Sequence, residues 1–326
     1  MSLFGPRKPR LTMFYASDVH GSEKCFLKFV NAAKFYRADV LVLGGDLTGK
    51  VIVPLIGSGG GRYRADFQGQ RHLIDGEDAR AEFEKRVRLN GFYPVTLDPD
   101  EYERVTADAH LRDCLFERVA SDSIRRWVAI ADERLRGGGT RCIAYPGNDD
   151  ELFVDRILAS SEVIENADGR VIDLGRHELL GMGCSNLTPF HSPRELPEDE
   201  LESRLEALIG TMRNPEHAIF ALHVPPVNSG LDMAPRLREQ DGVLQVVSIG
   251  GHTVMDPVGS EAVRRVIERH QPLVGAHGHV HESRAVARLG RSLCFNPGSE
   301  YGEGVLRGAI VVLEPDRVVS CQLVAA

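Results

Sequence analysis

Five short apolar runs, at residues 11–16, 40–43, 142–145, 218–222 and 272–276, each break into a polar loop, and this recurrence limits the fold more than any other feature. Uninterrupted runs of this length read as strands buried on both faces. Ser22 follows the first loop as a cap, and Phe26, Phe29, Val30 and Ala33 then fall on one helical stripe. Strand, polar loop and helix, repeated, is the pattern of an α/β fold. Ligand sites in such folds gather in the loops at the carboxyl ends of the strands. With 326 residues, 42% of them hydrophobic, the chain can bury a substantial core, and a single domain over 1–326 is expected.

One stretch interrupts the pattern. Residues 50–140 separate two strands that an α/β fold usually joins with a single helix, so part of this segment is an insertion. Residues 63–74 alternate as a hairpin does, whereas Val105, Ala109, Leu115, Phe116, Val119, Trp127 and Val128 recur at helical spacing within 100–135. The spacing predicts a long core helix that stops at Gly137-Gly138-Gly139, and a surface lobe over about 50–98. Because the lobe directly follows Asp46, it is expected to restrict substrate access, with an oligomer contact as the alternative. At the other end, 292–296, 309–313 and 318–323 are strand-like with no helices between them, which predicts a second, more antiparallel sheet.

Six cysteines lie scattered without a C-x-x-C pair and are expected to be reduced and mostly buried. Residues 4–10 run into the first strand with no apolar stretch suited to a signal peptide or membrane span, so a cytoplasmic location with no membrane partner is expected. The formal net charge of -8 supplies no global attraction for nucleic acid, and any anionic substrate requires a local positive charge.

The polar loops carry chemistry. Asp18-Val19-His20 sets a carboxylate and an imidazole two residues apart on chain leaving a strand, Gly44-Gly45-Asp46 adds a carboxylate behind glycines, and Gly147-Asn148 adds a neutral oxygen ligand. His223 ends the fourth run, ahead of Pro225-Pro226, and Gly275-Ala276-His277-Gly278-His279 brings two imidazoles flanking a glycine. Singly, each reads as well as a turn, a helix cap or a structural histidine. Jointly, two Asp, one Asn and four His at strand ends form a donor set for divalent metal.

This ordered set resembles the motifs of the calcineurin-like metallophosphoesterase family, D-x-H, G-D, G-N, H and G-H-x-H, read here as DVH, GGD, GND, H and AHGH. The resemblance implies a four-layer α/β/β/α sandwich of two mixed β-sheets flanked by helices. It also implies that Asp18, His20, Asp46 and His279 hold one ion and that Asp46, Asn148, His223 and His277 hold another, with Asp46 bridging. The implied cofactors are two divalent transition-metal ions, Mn, Fe or Zn, and the implied catalytic residues are Asp46, Asn148, Asp149 and His223. Two positions depart from the family: Ala276 precedes His277 where glycine is usual, and Asp149 stands where the histidine credited with assisting the leaving group is usual.

The reaction expected of such a centre is hydrolysis of a small, nucleotide-like phosphomonoester or phosphodiester by a hydroxide bridging the ions. An exposed Asp149 would be ionised at neutral pH and a poor proton donor, which favours leaving groups of low pKa. A metal-dependent nuclease and a non-catalytic protein-binding scaffold are the alternatives, and nucleic acid is not an expected partner because no basic, aromatic-interleaved groove is visible. The oligomeric state stays open. Further candidates for substrate contact are His281, Glu282, Arg284, the turn at 296–299, and His252.

Overall fold

The computed structural model describes residues 9–240 and 242–326, so most of the segment read for targeting lies outside the described residues. Twelve strands build two six-stranded sheets: β1 (Leu11–Ala16), β2 (Val40–Gly44), β3 (Arg141–Tyr145), β4 (Ile164–Asn166), β5 (Arg170–Asp173), β6 (Glu178–Met182), β7 (Ile219–Leu222), β8 (Val274–Ala276), β9 (Ala285–Leu289), β10 (Ser292–Asn296), β11 (Arg307–Glu314) and β12 (Arg317–Ala325). The first sheet runs β12-β11-β1-β2-β3-β4 and the second β9-β10-β8-β7-β6-β5. Both are mixed. Strands β1 to β4 are parallel, as are β6, β7, β8 and β10, while β11, β12, β5 and β9 pair antiparallel at the margins.

Alternation along the strands assigns each side chain to a core. Met13, Tyr15, Val42 and Ile143 of the first sheet share one cluster with Leu179, Ile219, Ala276 and Phe295 of the second. The intervening residues Phe14, Leu41 and Ala144 face α1 (Glu23–Phe35), α4 (Ala109–Leu135) and α5 (Phe153–Leu158), and Phe220 and Cys294 face α6 (Glu198–Ile209) and α7 (Glu261–His270). Ser22 caps α1 as read, its side chain accepting from the Cys25 amide.

Two sequence expectations are corrected here. The strands near the C-terminus form no separate antiparallel sheet: β10 lies parallel to β8 in the second sheet, and β11 and β12 return to the first, antiparallel to β1. Apolar pattern fixes which face of a strand is buried but not which neighbour it pairs with. The expected long helix is two, Pro99–Ala107 (α3) and α4, because Asp108 leaves helical geometry at φ -117° and turns its carboxylate onto the amides of His110 and Leu111. α4 stops at Leu135, ahead of the three glycines.

Residues 52–97 form a four-stranded sheet covered by α2 (Glu77–Leu89), with a core of its own around Val53, Leu55, Phe67, Phe83 and Val87. The hairpin Arg62–Phe67 with Gln70–Asp75 occupies the stretch read as one. Among the described residues no helix is long and apolar enough to cross a membrane.

Trp127 of α4 is buried and stacks on Phe26 of α1 with ring centroids 4.4 Å apart, joining the two helices over the first sheet. Trp127→Ala is expected to cost about 3–5 kcal/mol of stability by the cavity it leaves. A urea unfolding midpoint within error of the wild type would show that this contact does not anchor the helix layer.

Candidate metal centre

The loops after β1 and β2 are laced together by their backbones. The amide of Asp18 donates to Gly45 O, that of His20 to Asp46 O, and that of Gly21 to Leu47 O, at 2.8–3.0 Å. Asp18, His20, Asp46 and, across the cleft, His279 all adopt left-handed backbone, with φ of 54°, 38°, 52° and 65°. Such conformations are costly outside glycine and gather where surrounding structure imposes a functional geometry. Gly147 is required by proximity: a Cβ there would stand 2.3 Å from the Asp46 amide nitrogen.

Asp150 holds the next loop in register. Fully buried, its carboxylate accepts from the amides of Leu47 (2.9 Å), Thr48 (2.8 Å) and Gly147 (2.8 Å) and from the Thr48 hydroxyl (2.6 Å). It thereby ties the Asp46 loop to the Asn148 loop. Burial, then the nearby Asp46 charge, push its carboxyl up to about 6.

Seven side chains converge above these loops. Asp46 divides its two oxygens: Oδ2 lies 3.6 Å from His20 Nε2 and Oδ1 lies 3.4 Å from His223 Nε2. On one side, His281 Nε2 stands 3.1 Å from His20 Nε2 and 3.5 Å from Asp18 Oδ1. On the other, Asn148 Oδ1 is met by His279 Nδ1 at 2.8 Å and His223 Nε2 at 3.1 Å. Among the described residues, three histidine and aspartate groupings here could hold a metal ion: Asp18 with His20 and His281, Asp18 with Asp46 and His223, and His20 with Asp46 and Asp149.

The charges at the site favour a cation. Burial alone would push both carboxyls up, yet hydrogen bonding from His281 and the charge of His223 hold Asp18 down to about 2, and His223 and His20 hold Asp46 well below its usual range. Burial opposes charge on His223 too, but Asp46 and Asp18 outweigh it and raise the imidazole to about 10. Burial prevails at His20 and His279, which are drawn down to about 4. With His223 Nδ1 2.8 Å from Gly44 O, a neutral ring donates there and turns the Nε2 lone pair onto Asn148 Oδ1, itself an acceptor. A proton on Nε2 resolves that clash, and so would a divalent ion. The donor set, with His20 Nδ1 also buried and unpartnered, therefore fits divalent metal.

His277 is the sequence-expected ligand that the structure leaves apart. Its Nδ1 lies 2.8 Å from Leu222 O, and its Nε2 is buried without a partner, facing Gly275. Ala276 points into the core between the sheets, and the His277 amide still continues the ladder by donating to Phe295 O, so the His277 side chain turns to the opposite, helix-covered face. The chain bends only at His279, which brings His279 and His281 over Asp18. His281 is the residue that sequence reasoning undervalued, and the signal was available: Gly278-His279-Val280-His281 is itself an undeparted G-H-x-H, two residues beyond the AHGH reading.

Other candidates fall into place around this group. Asn296 donates from Nδ2 to Leu231 O, Gly278 O and Val280 O, and the Ser299 hydroxyl donates to Asp18 O, so the turn at 296–299 positions ligand loops. The Tyr301 ring, which no sequence signal marked, packs on His20 and His281. His252 and Arg284 are exposed away from the cleft lining, whereas Glu282 lines it. Asp149 donates its amide to Asp46 Oδ1 at 3.1 Å, while its carboxylate accepts from the Ser192 hydroxyl (2.5 Å) and pairs with Lys50. Burial opposes charge on Lys50, but the bond to Asp149 outweighs it and raises the ammonium. Of the segment 50–98, expected to restrict access, only Lys50 lines the cleft.

No family model matches the chain. An uncharacterized protein of Methanocaldococcus jannaschii, MJ1162, is 29% identical over 157 residues, which is 48% of this chain and 62% of that protein, so the chain spans under two thirds of this relative. The solved structure of TT1561 of Thermus thermophilus aligns with a TM-score of 0.51 at 16% identity, covering 98% of this chain and 99% of its own. A further solved structure aligns with a TM-score of 0.53 at 15% identity, covering 97% and 99%. These likenesses show a shared mixed α/β fold.

Asp150→Ala strands four buried donors and is expected to lower stability by about 2–4 kcal/mol, with Asp150→Asn in between. Denaturant titration of the three proteins checks this, and an alanine variant as stable as wild type would remove Asp150 from its positioning role.

Proposed function

We propose that this chain is a metal-dependent phosphoester hydrolase built as a four-layer calcineurin-like metallophosphoesterase. The observation that carries the reading is Asp46, whose two carboxylate oxygens face separate groups of donors. In this reading Asp18, His20, Asp46 and His281 would hold one ion, and Asp46, Asn148, His223 and His279 the other. The ligand set thus gains His281 and loses His277 relative to the sequence expectation. When bound, two divalent ions, with Mn, Fe and Zn all suited to these ligands, would supply Lewis acidity toward a phosphoryl oxygen and a water of lowered pKa.

The remaining roles belong to the chain itself. Gly44 O orients His223 through Nδ1, as metal-ligating histidines are commonly oriented. Lys50, ion-paired with Asp149, lines the cleft where an anionic substrate would arrive. Asp149, tied to Lys50 and Ser192, acts as an acceptor that fixes this lysine and does not deliver a proton. Asp150 is likewise committed to four donors and takes no part in proton transfer. Substrates whose leaving groups depart without protonation are therefore favoured. A small phosphoester suits the cleft better than a nucleic acid, because the arginine in its lining, Arg236, is bound by Asp256 through two nitrogens.

Elemental analysis after metal loading and desalting should find two ions in wild type and in His277→Gln. His281→Ala should lose one, and Asp46→Asn should weaken both by at least about 10–100-fold. Two tightly held ions in His281→Ala with fewer in His277→Gln would restore the original ligand reading. Separately, rates on aryl phosphoesters of graded leaving-group pKa should fall steeply with rising pKa in wild type. The slope should flatten in Asp149→His, since general acid help is worth about 10²–10⁴-fold. A shallow wild-type slope would mean that another residue donates the proton.

A further inference from the structure

The cleft above the metal donors has a volume of about 740 Å³, within the usual range for a small-molecule site. Its composition is divided. Asp46, Asn148, Asp149, Lys50, His279 and His281 make one polar region. Val280 and Glu282 lie beside those histidines, and the rest of the lining comes from two other segments, residues 186–190 between β6 and α6 and an arm between β7 and α7 that carries Val246 and Val258.

These two segments hold large apolar side chains in solvent. Leu187 is 61% exposed, Phe190 66%, Val246 53% and Val258 37%, four of the thirteen large hydrophobics exposed among the described residues. Scattered apolar residues on a surface need no explanation, but a group from separate segments lining one cleft marks a binding surface. The hydrogen-bonding capacity beside them is partly unspent: Asn186 lines the same cleft and its buried Oδ1 has no partner. Arg236 offers no free charge there, being paired with Asp256 at 2.6 and 2.7 Å.

The shape of this surface selects its occupant. A protein partner would meet the apolar side chains only across a cleft whose floor is charged and metal-ligating. A small molecule with an anionic end and an apolar end satisfies both regions at once. We propose that the Leu187, Phe190, Val246 and Val258 side chains form a subsite for the organic group of the substrate, and that this group is ring-sized and apolar. The inference rests on the phosphoester-hydrolase reading, which places the phosphoryl group at the floor. It makes phosphorylated sugars and glycerol phosphate poor substrates, because their hydroxyls would lose water against apolar walls without gaining partners.

Calorimetric titration of the manganese-loaded protein with methylphosphonate and phenylphosphonate, neither of which has an ester to hydrolyse, tests both layers. Phenylphosphonate should bind at least about tenfold more tightly than methylphosphonate, the effect of burying one ring face. In the Phe190→Ala, Val246→Ala double variant, with both positions exposed and its fold checked by circular dichroism, the gap should shrink to less than about threefold. Equal affinities in wild type, or a gap that survives in the double variant, overturn the subsite while leaving the hydrolase reading standing. Failure of both phosphonates to bind overturns both readings.

Discussion

Two carboxylates, Asp18 and Asp46, are buried together, and the rest of the structure answers that fact. Buried anions are tolerated only when paired and hydrogen-bonded. Here the answer comes from the surrounding imidazoles and from backbone amides such as those of Asp149 and His279. These come from several loops, and each loop ends a parallel strand of one of two sheets whose apolar faces pack together. The left-handed backbone at Asp18, His20, Asp46 and His279 is the local cost of that convergence. It is held by interactions that touch no substrate, such as Asp150 across two loops and Asn296 under a third.

The arrangement also explains why close glycines flank the donors. Gly147 lets the Asn148 loop lie against the Asp46 amide, and a side chain there would separate the two groups of ligands. Backbone contact on this scale is why the site is built from strand ends, which the sheets hold rigidly, and not from the lobe at 52–97, which has its own small core.

Much of this was legible in the sequence because buried parallel strands are written as unbroken apolar runs, and β1, β2, β3 and β7 fell close to where those runs lie. Six of the seven converging side chains were visible as polar residues just past them. The seventh was obscured by a repeated spacing: His277, His279 and His281 are two residues apart, so spacing alone admits either pair. What separates them is the facing of Ala276, a property of sheet packing that no local pattern records. The same limit misplaced β11 and β12, whose alternation fits a strand equally well in either sheet. The break at Asp108 was readable in principle, since an aspartate ahead of a helical stretch is a capping signal.

Strand β1 carries Asp18 and His20 at its end and lies between β2 and β11, so one of its hydrogen-bonding edges is completed only by residues 307–314. On a ribosome, β1 therefore emerges and waits, with that edge unpaired, until residues 307–314 have followed. An open apolar edge is a template for unwanted pairing, and its closure depends on a contact of very long sequence separation. The hairpin of β11 and β12 thus acts as a late clasp, and Asp18 and His20 depend for their footing on segments made well after them.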